Sequence, residues 1–229
     1  MRFPGSVLQG VQGGKGHYFR IGCQRVMERL GKQMGIDSDV EIEMYGRMMI
    51  ALGAIEDCRE FAAFIPEVRT NMAYASPGAK TPADVLAIEG RITVVGGMPH
   101  AAGRPRFGAS GHLARFVLGI MQDHPEIRVA INFSSPPDLI QWLEWYCRQK
   151  DWPFAVIDRS EESTGGRNIE GSTMSWKAAE AIRKTGDRAP KIICDRGDFG
   201  KEPVSVIVGP EPISTVTELL SIVREYSRR

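Results

Sequence analysis

Three short connections join glycine, hydroxyl and charged residues where the apolar patterning of this 229-residue chain is interrupted. In RPRFGASGHLAR, residues 104 to 115, Ser110 has the character of a helix N-cap, which puts the Gly111, His112 and Leu113 amides in a first turn. Such N–H groups lack intrahelical partners and share the positive end of the helix dipole, so the turn can take an anion. Gly108 and Gly111 would let a ligand approach the backbone. His112 is either a solvated first-turn residue or a donor to that anion, and this stretch alone leaves both open. In IEGSTMSW, residues 169 to 176, Ser172, Thr173 and Ser175 lead into a helix expected to begin near Ser175. That is a second turn for an anion or hydroxyl, or else a loop with a cap. In CDRGDFGKEP, residues 194 to 203, Asp195 ends a strand and is followed by Arg196, Asp198, Lys201 and two glycines. Arginine and lysine can neutralise a diphosphate, while Asp195 or Asp198 could hold a Mg²⁺ ion bound mainly by phosphates.

Other chemistries lack their residues. There is no GxSxG elbow for a serine nucleophile, and no two acids are singled out for paired-carboxylate hydrolysis. His17, His100, His112 and His124 form no HxH or HExxH arrangement, which argues against a protein-built zinc site. Cys23, Cys58, Cys147 and Cys194 lie far apart with no CxxC pair, so buried free thiols in a reduced, cytoplasmic compartment are expected. GVQGGKGH near the N-terminus has the wrong spacing for a phosphate loop, and Gly16 stands where a hydroxyl would meet magnesium. Lys and Arg number 29 against 28 Asp and Glu. That balance provides no global field toward nucleic acid or an anionic membrane, so neither is expected as a partner and any phosphorylated ligand must be held locally. No apolar stretch reaches the roughly 18 residues of a membrane span.

These connections need a scaffold. Residues 1 to 19 read as an irregular lead-in, and residues 20 to 54 as two helices broken near Gly35 to Ser38. The second helix carries Glu41 and Glu43 with only Arg47, a poor face for DNA phosphates. Its Met48, Met49, Ile50 and Leu52 suit a docking or homodimerising hairpin. Beyond it, RITVV (91 to 95) reads as a strand turned by Gly96-Gly97. Leu113, Phe116, Val117, Ile120 and Met121 repeat at helical spacing. Strands at 127 to 133, 154 to 158, 191 to 195 and 203 to 209 alternate with helices around Leu139 to Tyr146, after Ser175, and from Ile213 to Tyr226. This predicts an α/β domain over residues 55 to 229, with helices on both faces of a mixed sheet, behind an N-terminal helical extension over residues 1 to 54.

Several separate motifs occur together and in order: FIPEVRTNMAYASPGAKTPADVLAIEGRITVVGG, FGASGHLAR, AINF, IEGSTMSW and DRGDFGKEP. From about Phe61 to Arg224 the chain resembles the ThiN family of thiamine phosphate synthases. The domain is found alone, fused behind a hydroxymethylpyrimidine kinase, or behind a DNA-binding domain in archaeal regulators. The resemblance implies a three-layer α/β/α fold with a mixed sheet, similar to the class II aldolase group, but the closely spaced aldolase histidines are missing. It implies a transferase that condenses hydroxymethylpyrimidine diphosphate with hydroxyethylthiazole phosphate, or, alternatively, a non-catalytic sensor of thiamine phosphates acting in transcriptional regulation. Arg91 and His112 match the residues on which the enzymes depend. Arg91 would sit on a phosphate and His112 would donate to the leaving group. Substrate contacts are expected at Asn71, Gly108, Ser110, Gly111, Asn132, Ser172 and Thr173, and the chemistry of the third motif puts Arg196 and Lys201 on the second phosphate. Magnesium is expected largely through the diphosphate, with Asp195 and Asp198 as its protein ligands.

Overall fold

The computed structural model describes residues 39–158, 172–197 and 202–229. The glycine-rich lead-in, the first helix of the expected hairpin, and Asp198 and Lys201 lie outside these residues. The chain divides into Met1–Glu43 and Met44–Arg229, and the second unit carries the fold.

In chain order the elements are α1 (Asp39–Glu56), a 3-10 segment (Arg59–Phe64), β1 (Met72–Ala75), β2 (Val85–Ile88), β3 (Ile92–Val95), β4 (Met98–Ala101), β5 (Pro105–Phe107) and α2 (Gly111–Met121). They continue as β6 (Val129–Ser134), α3 (Pro137–Lys150), β7 (Phe154–Ile157), α4 (Ser172–Lys184), β8 (Ile192–Asp195), β9 (Val204–Gly209) and α5 (Pro212–Ser227). Seven strands form one sheet in the order β5-β2-β1-β6-β9-β8-β7. The β7–β8 pair is parallel and every other pair in this sheet is antiparallel, so the sheet is mixed as expected. The β3–β4 hairpin forms a separate two-stranded sheet and adds nothing to that mixture. Its Gly96-Gly97 turn has φ of 59° and 78°, the left-handed pair that matches the twist of two-residue hairpins.

Helices cover both faces of the sheet, as a three-layer α/β/α architecture requires. In β1 the side chains alternate. Met72 and Tyr74 join one core with Met48, Leu52 and Ile55 of α1, Leu143 of α3 and Leu219 of α5. Ala73 and Ala75 join the other, with Leu113, Phe116, Val117 and Ile120 of α2 and Ala178, Ala181 and Ile182 of α4. The domain boundary expected at residue 54 falls inside α1, whose Met48, Ala51, Leu52 and Ile55 belong to the sheet's core, whereas Met49 and Ile50 are exposed. Small residues line the α2–α4 side of the sheet: Ala73, Ala75, Ala87 and Ala130 on the strands, and Gly119 and Ala178 where the helices meet.

A Cβ on Gly119 would lie 2.7 Å from the Ala178 Cβ, closer than packed carbons come. Gly119→Val should therefore cost about 1–3 kcal/mol through overpacking. Gly46 of α1 meets nothing within 4 Å, so Gly46→Ala should stabilise by up to ~1 kcal/mol through helix propensity. Urea unfolding midpoints of the two variants should move in opposite directions.

Candidate functional site

A cavity of about 450 Å³ opens at the end of the sheet where α2 and α4 begin. The α2 N-terminus supplies Ser110, His112, Leu113 and Phe116 to its wall, and the first turns of α4 supply Met174 and Lys177. The floor comes from neighbouring strands, with Asn132 on β6, Val204 and Val206 on β9, Ile193 and Asp195 on β8 and Ile157 on β7. Asn71, Arg91, Glu67, Val68 and Glu202 complete the lining. Acidic and basic groups thus surround an apolar floor, an arrangement that fixes a ligand by a few polar groups and seats its rings on hydrocarbon.

Glu67, Val68 and Arg69 form a strap beside the cavity, closed by the Arg69 N–H donating to the Pro66 carbonyl at 2.7 Å. Three side chains pin it. The Arg91 guanidinium donates to the Val68 carbonyl, Glu202 Oε1 accepts the Val68 N–H at 2.8 Å, and Asn132 Nδ2 donates to the Arg69 carbonyl at 3.0 Å. Arg69 and Arg91 are both left-handed, with φ of 66° and 70°. For non-glycine residues this conformation costs on the order of 1–3 kcal/mol and persists only where surrounding structure imposes it. Arg91 was expected on a strand. Instead it lies in the turn before β3, after Gly90, where a Cβ would come within 2.9 Å of the Ala102 Cβ.

Asn71 is buried, and its amide substitutes for backbone. Its Oδ1 accepts the Met72 N–H at 2.8 Å and the Ile88 N–H at 3.0 Å, and its Nδ2 donates to the Ile88 carbonyl at 3.1 Å. Asn132 Oδ1 in turn accepts the Asn71 N–H at 2.8 Å. The two asparagines therefore knit β2, β1 and β6 together at the cavity edge.

Ser110 occupies the N-cap of α2 with extended backbone, yet its side chain makes no capping bond and lines the cavity instead. The exposed His112 lines the same space. Helix α4 starts at Ser172, three residues earlier than expected, so Thr173 belongs to its first turn. Serine and threonine carry little penalty there, because first-turn N–H groups have no intrahelical partner to lose. Gly108, Gly111, Thr173 and Arg196 are not among the lining residues, and Gly108 has a φ of 73° in the turn before α2.

Asp195 was expected to ligate a metal, but its carboxylate is already committed. One oxygen forms a buried ion pair with the Lys177 ammonium, each side chain being only 9% exposed, and the other accepts the Gly197 N–H at 2.9 Å. Among the described residues no group of three or more metal-ligating side chains comes together. In the structure the Asp195 carboxylate therefore faces Lys177 and Gly197 at the cavity wall. Behind it the Ser205 hydroxyl lies 2.8 Å from Cys194 Sγ and 2.7 Å from Ser135 Oγ. Burial pushes the Cys194 thiol up to about 12, so it stays protonated and is no nucleophile. Cys58 and Cys147 are likewise free and buried.

Lys177, Glu67 and Glu202 were not singled out in the sequence. Lys177 does carry a signal, since it falls at helical spacing among Met174, Ala178 and Ala181 on the buried face of α4. A lysine on such a face needs a partner.

Residues 47–221 match the family model described as thiamine-phosphate synthase ThiN. The chain is 34% identical over 187 residues to the thiamine-phosphate synthase ThiN of Methanothermobacter thermautotrophicus, covering 82% of this chain and 94% of that one. It is 38% identical over 167 residues to the bifunctional thiamine biosynthesis protein ThiDN of Methanocaldococcus jannaschii, covering 71% of this chain and 37% of that longer protein. Among solved structures, the C-terminal domain of a phosphomethylpyrimidine kinase superposes with a TM-score of 0.75 at 32% identity, over 80% of this chain and 99% of that domain.

Because the Asn71 amide serves buried backbone groups, Asn71→Ala should lower stability without any ligand present. Leaving such groups unpaired costs ~1–3 kcal/mol each, so a loss of about 2–4 kcal/mol is expected in chemical denaturation.

Proposed function

The chain belongs to the thiamine-phosphate synthase ThiN family, and from that premise we propose that it is a thiamine phosphate synthase. In this reading it condenses hydroxymethylpyrimidine diphosphate with hydroxyethylthiazole phosphate. The thiazole nitrogen lone pair forms a C–N bond to the pyrimidine methylene. The C–O bond to the diphosphate breaks, and pyrophosphate departs with that electron pair. The nitrogen is already nucleophilic, so no residue must deprotonate it. The demand on the protein is alignment of two ligands and stabilisation of charge growing on the diphosphate.

The observation that carries this reading is that Arg91, His112 and Ser110, drawn from two distant motifs, line one cavity. Arg91 offers a planar fork of donors suited to phosphate oxygens. The first-turn amides of α2 add donors along the helix dipole. His112 donates to the bridging or terminal oxygen of the leaving group, a role typically worth ~3 kcal/mol in the barrier for one well-placed donor. The apolar floor of Phe116, Ile193 and Val206 seats the rings. Magnesium belongs to this reading as an ion carried by the diphosphate oxygens. Asp195 is bound to Lys177 and Gly197, and none of the steps assigned here to the protein runs through the ion. Among the described residues no helix is long and apolar enough to cross a membrane.

The purified chain, given both substrates and Mg²⁺, should form thiamine phosphate and pyrophosphate in equal amounts. Tight binding of either substrate without turnover would contradict the assignment. Arg91→Ala and His112→Ala should each reduce turnover at least tenfold while far-UV circular dichroism stays unchanged. Full activity in either variant would remove that residue from the mechanism.

A further inference from the structure

The cavity's cationic groups stand at two separate places. Arg91 and His112 belong to the side under α2, the helix packed on β1 and β6. There Arg91 holds the strap that Asn132 of β6 also holds. Lys177 belongs to α4, which packs on β7, and it is fixed by Asp195 at the end of β8. In the sheet β9 lies between β6 and β8, so the strands behind the two places are about 10 Å apart at a strand spacing of ~4.8 Å.

On the reading given above, from which this step proceeds, the reaction also has two phosphorylated ends. In-line displacement sets the leaving diphosphate and the phosphate of the thiazole partner on opposite sides of the methylene carbon. About eight bonds separate the leaving oxygen from that phosphorus, on the order of 10 Å at ~1.5 Å per bond once bends are allowed for. The diphosphate carries more charge and suits the Arg91 fork with His112. The single ammonium suits a phosphate monoester. An ammonium has three N–H donors and can serve a carboxylate and a phosphate oxygen together.

We infer that Lys177 is the residue that holds the phosphate of the thiazole substrate, and that Asp195 is a positioning residue that aims the Lys177 ammonium into the cavity. This accounts for a buried ion pair standing in a cavity wall, and it gives Asp195 work unrelated to metal.

The test is the full chain's steady-state kinetics with each substrate varied in turn, for wild type, Lys177→Arg and the paired variant K177M/D195N, which removes both charges of the pair together. The paired variant should raise KM for thiazole phosphate at least tenfold and leave KM for the pyrimidine diphosphate within twofold. It should also erase the wild-type preference for thiazole phosphate over the unphosphorylated thiazole alcohol. Lys177→Arg, which keeps charge and ion pair, should shift KM for thiazole phosphate alone, by threefold or more. A rise in KM for the diphosphate instead, an equal rise in both, or no change overturns the inference. Calorimetric titration of wild type and both variants with thiazole phosphate reads the same contact without turnover. Binding at least tenfold weaker in K177M/D195N is expected, and equal binding in wild type and both variants overturns the inference. A wild type that binds thiazole phosphate through Lys177 but forms no product would overturn the proposed function and leave this contact standing.

Discussion

The close contact of α2 and α4 at Gly119 and Ala178 joins the two helices whose N-terminal turns wall the cavity. Gly119 lies eight residues into α2 from Gly111, about 12 Å at 1.5 Å per residue, and Ala178 lies about 8 Å into α4 from Thr173. With the helices touching there and at Ser175 in the first turn of α4, and resting on alanines of the sheet, the cavity lies beside their N-terminal turns over larger strand residues. Leu113 and Phe116 on one helix and Met174 and Lys177 on the other line it. The contact that closes this core therefore lies beside the site, whose wall both helix starts supply.

At the other wall, backbone strain is held by side-chain amides. Asn71 and Asn132 bind strand backbone at the point where β1 begins, and Asn132 also holds the strap through Arg69. Arg91 reaches that strap from a left-handed turn and contacts the Val68 carbonyl. Positions whose chemistry suggested ligand contact thus have structural duties first. Asn71 is spent on backbone, Asp195 on Lys177, and Ser110 is an N-cap in place but not in bonding. His112 is exposed and lines the cavity.

Much of this was legible in the sequence where local pattern and tertiary role coincide. The periodicity of Leu113 to Met121, the alternation from Ile92 to Val95 and the glycine pair after it each translated into the observed element. Strands β1, β2 and β5 were not legible. MAYA and VLAI are buried on both faces, so polar alternation never appears, and PRF is short and begins with proline. The site motifs were readable as turns with glycine and charge, but their grouping depends on strand order, which places β9 between β6 and β8. Lys177 escaped notice for the same reason. Its partner is 18 residues away on a strand, and alone it reads as one more helical lysine.

In the function proposed above, this cavity, rather than any other concavity, receives the anionic reaction partners. Hydrogen–deuterium exchange of the wild-type chain with and without inorganic pyrophosphate tests it most directly. The Gly111, His112 and Leu113 amides at the start of α2 should exchange several-fold more slowly with pyrophosphate bound. Protection centred instead on the cleft lined by Arg148, Lys184 and Arg188, with α2 unchanged, would contradict the account.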